Sequence, residues 1–262
     1  MAGTGFLGIV LLGLLAIIGS THAQLQMDFY AKSCPKAEKI VKDYVNKHIP
    51  NAPSLAASFI RMHFHDCFVR GGPFWNVPTG RRDGVISNVS EANANIPSPF
   101  SNFTTLLRLF NNQGLDSKDL VLLSGAHTIG LSHCPAFSRR LYNSSGPGGV
   151  DPTLDSEYAS NLKANKCRNP NDNTTKVEMD PGSRNTFDLS YYTLLTKRRG
   201  LFNSDAALTT NSTSLALINQ LLSNPLKFFY AEFAKSMEKM GRINVKTGSE
   251  GEIRKQCAFV NS

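Results

Sequence analysis

The chain has 262 residues, a length that permits one large domain or two small ones. Its formal net charge is +8, from 28 lysines and arginines against 20 acidic residues. Because the basic residues are scattered and form no stripe, the sequence argues against nucleic-acid binding. The charge suits a soluble protein, or one attracted to an acidic matrix polysaccharide.

The first 23 residues have the pattern of a secretory signal peptide. The apolar run over residues 6–18 is too short to span a bilayer, and Thr21-His22-Ala23 predicts cleavage before Gln24. No second long apolar run follows, so we expect no membrane association. Without a repeat or a linker, residues 24–262 are predicted to form a single domain. Asn-X-Ser/Thr sequons also fit export; they begin at Asn88, Asn102, Asn143, Asn173 and Asn211.

Apolar residues at three- and four-residue spacings predict a mostly helical chain. Ser54 would cap a predicted helix that carries Arg61 and His65. The other predicted helices cover residues 35–48, 104–110, 118–124, 127 to about 133, 187–197, 214–222 and 225–240. Strand-like alternation is nearly absent. Residues 77–80, 146–149 and 168–175 are predicted loops.

The segment 61–67, Arg-Met-His-Phe-His-Asp-Cys, carries the most informative pair of side chains. Arg61 and His65 are four residues apart, so on a helix they project from one face. A permanently charged guanidinium and an imidazole that titrates near neutrality suit a site where a proton moves while negative charge develops. Phe64 between them would keep such a site dry.

A second histidine, His127, follows the small residues Gly125 and Ala126, beside which a flat, bulky group could approach the backbone. A ligating histidine normally donates its other ring N–H to a carboxylate, and Asp205 is the partner that we predict. One ligating histidine opposite a histidine–arginine pair is what a haem site for peroxide requires. The alternative is that His127 is a core histidine with satisfied hydrogen bonds.

Two groups of oxygen-bearing residues are candidate Ca²⁺ sites, because this ion prefers six to eight oxygen ligands. One consists of Asp66 with the carbonyls of Val69 and Gly71, although Asp66 could equally be a surface or capping carboxylate. The second combines the loop at 180–188 with the residue after His127; its members are Thr128, Asp180, Ser183, Thr186 and Asp188. In this group, Asp188 could instead cap the following helix.

Taken together, these residues resemble a class III secretory plant peroxidase. The matching blocks are residues 61–71, 72–84, 95–100, 123–130 and 180–188, within a resemblance that covers residues 24–262. The resemblance implies a mainly α, haem-peroxidase-type helical fold. It also implies a secreted, monomeric haem b enzyme of the cell wall that reduces H₂O₂ while oxidising phenolic donors, with acidic cell-wall polysaccharide as a further partner.

The resemblance also implies roles for individual residues. His65 is the acid/base, Arg61 stabilises developing charge, and His127 is the iron ligand, with Asp205 as its hydrogen-bond partner. The carbonyl of Pro97 lies where reducing substrates bind at the haem edge. The remaining implied features are a disulfide between Cys134 and Cys167, a proximal Ca²⁺ site at Thr128, Asp180, Ser183, Thr186 and Asp188, and a distal Ca²⁺ site that includes Asp66, Val69 and Gly71.

The chain departs from the family between Gly71 and Gly72, where a long block is missing. In the family, this block carries the other distal Ca²⁺ ligands, an asparagine bound to the distal histidine, three cysteines and a core helix. Part of the distal domain is therefore expected to be absent. Cys34, Cys67 and Cys257 lose their family partners, and we predict that Cys67 is a free thiol.

The sequence leaves three alternative functions. The first is an active secreted peroxidase. The second is a catalytically impaired or haem-poor variant of the same family, arising from a skipped exon or a mistaken gene model, that at most binds the matrix. The third is a zinc hydrolase using His63 and His65. Two observations argue against it: the sequence has no further histidine–carboxylate cluster at metal spacing, and Arg61 would lie unfavourably beside the metal.

Overall fold

The computed structural model describes residues 25–52, 77–86, 88–256 and 258–261. The predicted signal peptide lies outside the described residues, as does the segment from Pro53 to Asn76, with the candidate residues Arg61, Phe64, His65, Asp66, Val69 and Gly71. The helices are α1 (Ala37–His48), α2 (Val89–Asn95), α3 (Phe103–Asn112), α4 (Ser117–Ser124), α5 (Ser138–Tyr142), α6 (Ser156–Asn165), α7 (Ser190–Thr196), α8 (Asn203–Ala207), α9 (Ser212–Ser223) and α10 (Leu226–Met240). The strands are β1 (Leu131–His133) and β2 (Lys176–Glu178).

The predicted mainly helical fold is confirmed, and side-chain caps explain where several helices begin. The side chain of Asn102 accepts the Thr105 N–H at the start of α3. Asp116 and Asp119 form a reciprocal capping box at the start of α4, which satisfies backbone donors that the helix itself leaves unpaired. Asn211 caps α9 in the same way as Asn102 caps α3. No helix among the described residues is long and apolar enough to cross a membrane.

The chain divides into two compact units. In the first, which includes residues 25–41, 77–86, 88–90, 244–256 and 258–261, isolated backbone bridges join distant segments. These bridges pair Gln26 with Thr79, Arg82 with Lys246, and Asp83 with Glu252. Cys34 in this unit is an exposed free thiol. Cys67 and Cys257 lie outside the described residues.

The second unit, which includes residues 42–52 and 91–243, contains two hydrophobic clusters. The first cluster is formed mainly by α4, α7, α9 and α10, and aromatic residues dominate it. Phe187 stacks on Phe229 with ring centroids 5.4 Å apart, and Phe233 meets the edge of both rings. The apolar stripe of α10 is thus core, as its three- and four-residue spacing predicts.

The second cluster surrounds the predicted disulfide, which the structure contains. Cys134 and Cys167 are bonded and fully buried among Phe137, Leu141 and Leu162. A disulfide closing a loop of this size is worth about 3–4 kcal/mol in the chain-entropy account. The bond therefore stabilises a cluster whose helices, α5 and α6, are short.

The prediction of a helix from His127 to about His133 is wrong. Residues Gly125–Thr128 form a single 3₁₀ turn, and the chain then extends into β1. β1 pairs antiparallel with β2, with Leu131 opposite Glu178 and His133 opposite Lys176. This pairing joins residues more than 40 positions apart, so it overrides the local helical pattern.

Candidate functional site

His127 and Asp205 form the centre of the candidate site. His127 lies on the 3₁₀ turn directly after α4, and Asp205 lies on α8. Nδ1 of His127 is 2.8 Å from Oδ1 of Asp205, although 78 positions separate the two residues. The histidine side chain is 32% exposed and the aspartate side chain 4% exposed. A buried carboxylate therefore holds one nitrogen of a partly exposed imidazole.

Asp205 receives three hydrogen bonds. Besides His127, the hydroxyl of Tyr191 donates to Oδ1 at 2.9 Å, and the backbone N–H of Phe202 donates to Oδ2 at 2.9 Å. Burial alone would raise the pKa of this carboxyl, but the neighbouring imidazole of His127 and the hydrogen bonds from Phe202 and Tyr191 hold the pKa below its ordinary value. Asp205 is therefore a carboxylate, which requires that Nδ1 of His127 carry the proton.

Aromatic rings fix the orientation of the imidazole. The ring of Tyr191 meets that of His127 edge-on, with centroids 5.7 Å apart and planes at 90°. Phe202 meets it at 5.1 Å and 72°. Tyr191 belongs to the first hydrophobic cluster and Phe202 to the second, so His127 lies where the two clusters meet.

A buried arginine holds the segment that leads to Asp205. Arg140 is 1% exposed, and its guanidinium donates to the carbonyls of Gly200, Leu201 and Phe202 at 2.7, 2.9 and 3.0 Å. It also pairs with the carboxylate of Asp151 at 2.7 Å. Because each carbonyl precedes the first turn of α8, Arg140 fixes the approach of the chain to Asp205.

Two glycines near the site allow neighbouring side chains to pack closely against the backbone. A Cβ on Gly125 would collide with the Tyr192 hydroxyl and lie 2.9 Å from Phe229 Cζ. Core side chains therefore fill the space that a Cβ at Gly125 would need, and the approach of a flat group to the backbone beside Gly125 and Ala126 stays a prediction. A Cβ on Gly200 would lie 2.6 Å from Cβ of Asp205, so this position requires glycine for the aspartate to approach.

The arrangement at His127 fits an axial haem ligand. With Nδ1 bound to Asp205, Nε2 is the nitrogen left for a metal, and the described part of the chain provides it with no hydrogen bond. A carboxylate behind the ring raises the basicity of the ligating nitrogen and fixes its tautomer. The chemistry of this donor set thus matches the group that the sequence predicts.

The structure brings together the five oxygen-bearing residues predicted to form the proximal cation site. Oγ1 of Thr128 lies 2.9 Å from Asp180 Oδ2, 3.2 Å from Asp188 Oδ1 and 3.4 Å from the carbonyl oxygen of Thr186. The hydroxyl of Ser183 lies 3.0 Å from Asp188 Oδ2. Thr128 follows His127 directly, so this cluster begins one residue from the candidate iron ligand.

Sequence reasoning missed Ser190 in this cluster. Its hydroxyl bonds to both carboxylates, with a distance of 2.6 Å to Asp188. Burial raises the pKa of Asp180, and the charges of Asp188 and Glu178 raise it further, despite hydrogen bonds from Ser190 and Thr128. The cluster therefore contains more negative charge than its donors balance. Among the described residues, no group of three or more His, Cys, Asp or Glu residues is arranged to hold a metal.

Pro97, the candidate substrate contact, lies on an exposed segment after α2. The carbonyl of Pro99, two residues later, accepts the backbone N–H of Ser204 at 3.0 Å. Ser204 directly precedes Asp205, the hydrogen-bond partner of His127. The bond to Pro99 therefore ties the segment that contains Pro97 to the residue next to Asp205. The other candidates, at positions 61–71, lie outside the described residues.

Comparison with known proteins decides the family. A family model described as Peroxidase matches residues 70–224. The chain is 55% identical to Peroxidase 3 of Arabidopsis thaliana over 312 residues, which covers 95% of this chain and 96% of the relative. The chain belongs to the class III plant peroxidases. Peroxidase 39 of the same plant is 54% identical over 322 residues, covering 97% of this chain and 99% of the relative.

A more divergent relative, from rice, supports the same family assignment. Peroxidase 1 of Oryza sativa subsp. japonica is 40% identical over 329 residues, with full coverage of both chains. These matches support peroxidase activity and imply haem as the cofactor. They also favour the peroxidase reading over the zinc hydrolase. The alignments extend over more positions than the 262 residues of this chain.

Proposed function

We propose that this peroxidase binds haem b through Nε2 of His127, with Asp205 holding the opposite ring nitrogen. The observation that carries the proposal is the 2.8 Å bond between Nδ1 of His127 and the buried Oδ1 of Asp205. A bound haem supplies the redox-active iron at which H₂O₂ is reduced and phenolic donors are oxidised. Asp205 keeps the proton on Nδ1, so Nε2 presents its lone pair.

The resemblance to class III peroxidases assigns the proton chemistry to the motif at 61–67. In this proposal, His65 removes a proton from H₂O₂ and returns it to the departing oxygen. Arg61 stabilises the negative charge on that oxygen, and Phe64 excludes water. The carbonyl of Pro97 receives the reducing donor at the exposed edge of the site.

We assign a proximal Ca²⁺ site to Thr128, Asp180, Ser183, Thr186 and Asp188. Hydroxyl, carbonyl and carboxylate oxygens within hydrogen-bond distance of one another are the ligands that Ca²⁺ prefers. The carboxylates of Asp180 and Asp188 both lie against Thr128 Oγ1, and a cation would offset their mutual repulsion. A distal site at Asp66, Val69 and Gly71 would keep only part of its family ligand set.

Residues 1–23 are proposed as a signal peptide that directs the single peroxidase domain, residues 24–262, to the extracellular matrix. The net charge of +8 would then favour contact of the monomer with acidic cell-wall polysaccharide. N-terminal sequencing of protein secreted by plant cells tests this: a start at Gln24 supports the assignment, and a start at Met1 contradicts it.

The second candidate is a shortened form of the protein that is haem-poor or catalytically impaired and at most binds the matrix. The alignment with Peroxidase 3 spans 312 positions against 262 residues in the chain, and the family-model match begins at residue 70, beside Gly71. The longer alignment is compatible with a missing block, and we propose the Gly71–Gly72 junction as its position from the sequence motifs. Losing a core helix would expose apolar surface to water, which would lower the free energy of unfolding by about 25 cal/mol per Å² of exposed surface.

Reconstitution with haemin distinguishes the two candidates. Full-length protein is titrated with haemin, and both the Soret absorbance and the turnover of a phenolic donor with H₂O₂ are measured. Stoichiometric binding with turnover supports the active enzyme. Weak binding, or binding without turnover, supports the impaired form, and bound zinc without haem would contradict both.

A further inference from the structure

We propose that Tyr191 is a positioning residue that sets how strongly Asp205 holds His127, and thereby how strongly His127 donates electrons to a bound iron. The inference rests on the proposed role of His127 as the iron ligand. Tyr191 was not among the residues that the sequence analysis selected, and it reaches the site only through the aspartate.

Two donors share one oxygen of Asp205. Oδ1 accepts Nδ1–H of His127 at 2.8 Å and the hydroxyl of Tyr191 at 2.9 Å, whereas Oδ2 accepts the backbone N–H of Phe202. A hydrogen bond that stabilises a carboxylate reduces its attraction for another proton. Tyr191 therefore weakens the pull of Asp205 on His127, which leaves the imidazole less like an imidazolate and less electron-donating.

The hydroxyl of Tyr191 is placed to act on Asp205 alone. Tyr191 is 1% exposed, and Asp205 is its one hydrogen-bond acceptor within the described residues. Because the carboxylate of Asp205 can only accept, the tyrosine hydroxyl is the donor in this bond.

The adjacent residue offers a matched control. Tyr192 is also fully buried, and its hydroxyl lies 3.0 Å from the carbonyl of Val121 and 3.4 Å from that of Leu122, and makes no bond to Asp205. Tyr191→Phe and Tyr192→Phe each remove one buried hydroxyl, with the hydrogen bonding it donates, from neighbouring positions on α7. A purely structural role for Tyr191 predicts that the two variants behave alike.

The first test uses haem-free, full-length protein and does not depend on iron ligation. The Nδ1 proton of His127 is observed by NMR, where a stronger hydrogen bond moves its resonance downfield. In Tyr191→Phe this resonance should move further downfield, because Asp205 no longer shares Oδ1. In Tyr192→Phe it should stay at the wild-type position. An unmoved resonance in Tyr191→Phe overturns the proposal.

The second test uses haem-loaded protein and measures the iron–histidine stretching band by resonance Raman, together with the ferric/ferrous midpoint potential. Tyr191→Phe should raise the stretching frequency and increase the ferric-to-ferrous ratio severalfold at the wild-type midpoint, with no such change in Tyr192→Phe. Equal effects in both variants overturn the proposal. Wild-type protein without an iron–histidine band overturns the ligation by His127, and the effect of Tyr191 on iron with it, while the NMR result still reports on the bond to Asp205.

Discussion

Arg140 and Phe202 are joined by a 3.0 Å hydrogen bond from the guanidinium to the backbone carbonyl, across 62 positions of sequence. The same residue, Phe202, donates its N–H to Asp205 and places its ring against His127. A buried charge bonded to the backbone of the second hydrophobic cluster is therefore connected to the candidate iron ligand through one residue. This relationship makes the Arg140–Asp151 pair a structural requirement of the site.

Asp151→Asn should destabilise the protein by about 3–5 kcal/mol at neutral pH, because it leaves the guanidinium of Arg140 buried without its counter-charge. Burial would raise the pKa of Asp151, but bonds from Thr153 and Arg140 hold it below its ordinary value. A carboxyl with a lowered folded-state pKa contributes stability above its unfolded pKa and loses it as pH falls. The difference between wild type and variant should thus shrink below about pH 4.

Urea unfolding at several pH values measures this difference. Glu157→Gln is the control, because Glu157 pairs with Arg199 at the same 2.7 Å distance but is 84% exposed. Such surface pairs contribute at most about 1 kcal/mol. If Asp151→Asn cost no more than Glu157→Gln, Arg140 would not depend on its partner.

The sequence predicted the helical class, and it selected His127, Asp205 and the oxygen-rich loop. These selections rested on residue types whose chemistry can be recognised without a fold. It could not predict β1, because the pairing of Leu131 with Glu178 depends on a distant segment. For the same reason it missed Arg140 and Tyr191, whose partners are brought near only by tertiary packing. Ser190 was within reach, since it follows Asp188 by two residues and begins α7.

Gly200→Ala should destabilise the protein by about 1–3 kcal/mol, because overpacking displaces neighbours. The added Cβ would lie 2.6 Å from Cβ of Asp205 and 2.7 Å from Cδ2 of Leu195. Gly84→Ala is the control, since among the described residues its Cβ would meet only the carbonyl oxygen of Ile86, at 3.8 Å. Urea midpoints report the comparison, and equal midpoints for the two variants would show that Asp205 does not need the glycine.

Asp205→Asn should lower haemin affinity or peroxidase turnover by about 10–100-fold, because outer-shell carboxylates of ligating histidines have effects of this size. Asparagine can still accept a bond, but it brings no charge to the imidazole. Asp155→Asn is the control, since Asp155 caps α6 and pairs with Arg199 without contacting His127. Haemin titration measures affinity, and circular dichroism checks the fold. A wild-type affinity and turnover in Asp205→Asn would count against the role assigned to this carboxylate.

Calcium should raise the melting temperature of the wild type, and Asp188→Asn should abolish most of this rise. A ligand at 100 times its Kd stabilises a protein by about 2.7 kcal/mol when only the folded state binds it. Asp172→Asn is the control, because Asp172 accepts bonds within its own exposed loop and has none to this cluster. Melting curves with calcium and with a chelator provide the measurement. A full calcium response in Asp188→Asn would place the ion elsewhere.

The most direct test of the central claim is the resonance Raman spectrum of haemin-loaded His127→Ala, with and without added imidazole. His133→Ala is the control, because His133 is exposed on β1 and has no part in the site. We predict that the iron–histidine band of the wild type disappears in His127→Ala, returns when imidazole occupies the vacated position, and persists in His133→Ala. An unchanged band in His127→Ala would show that another residue ligates the iron.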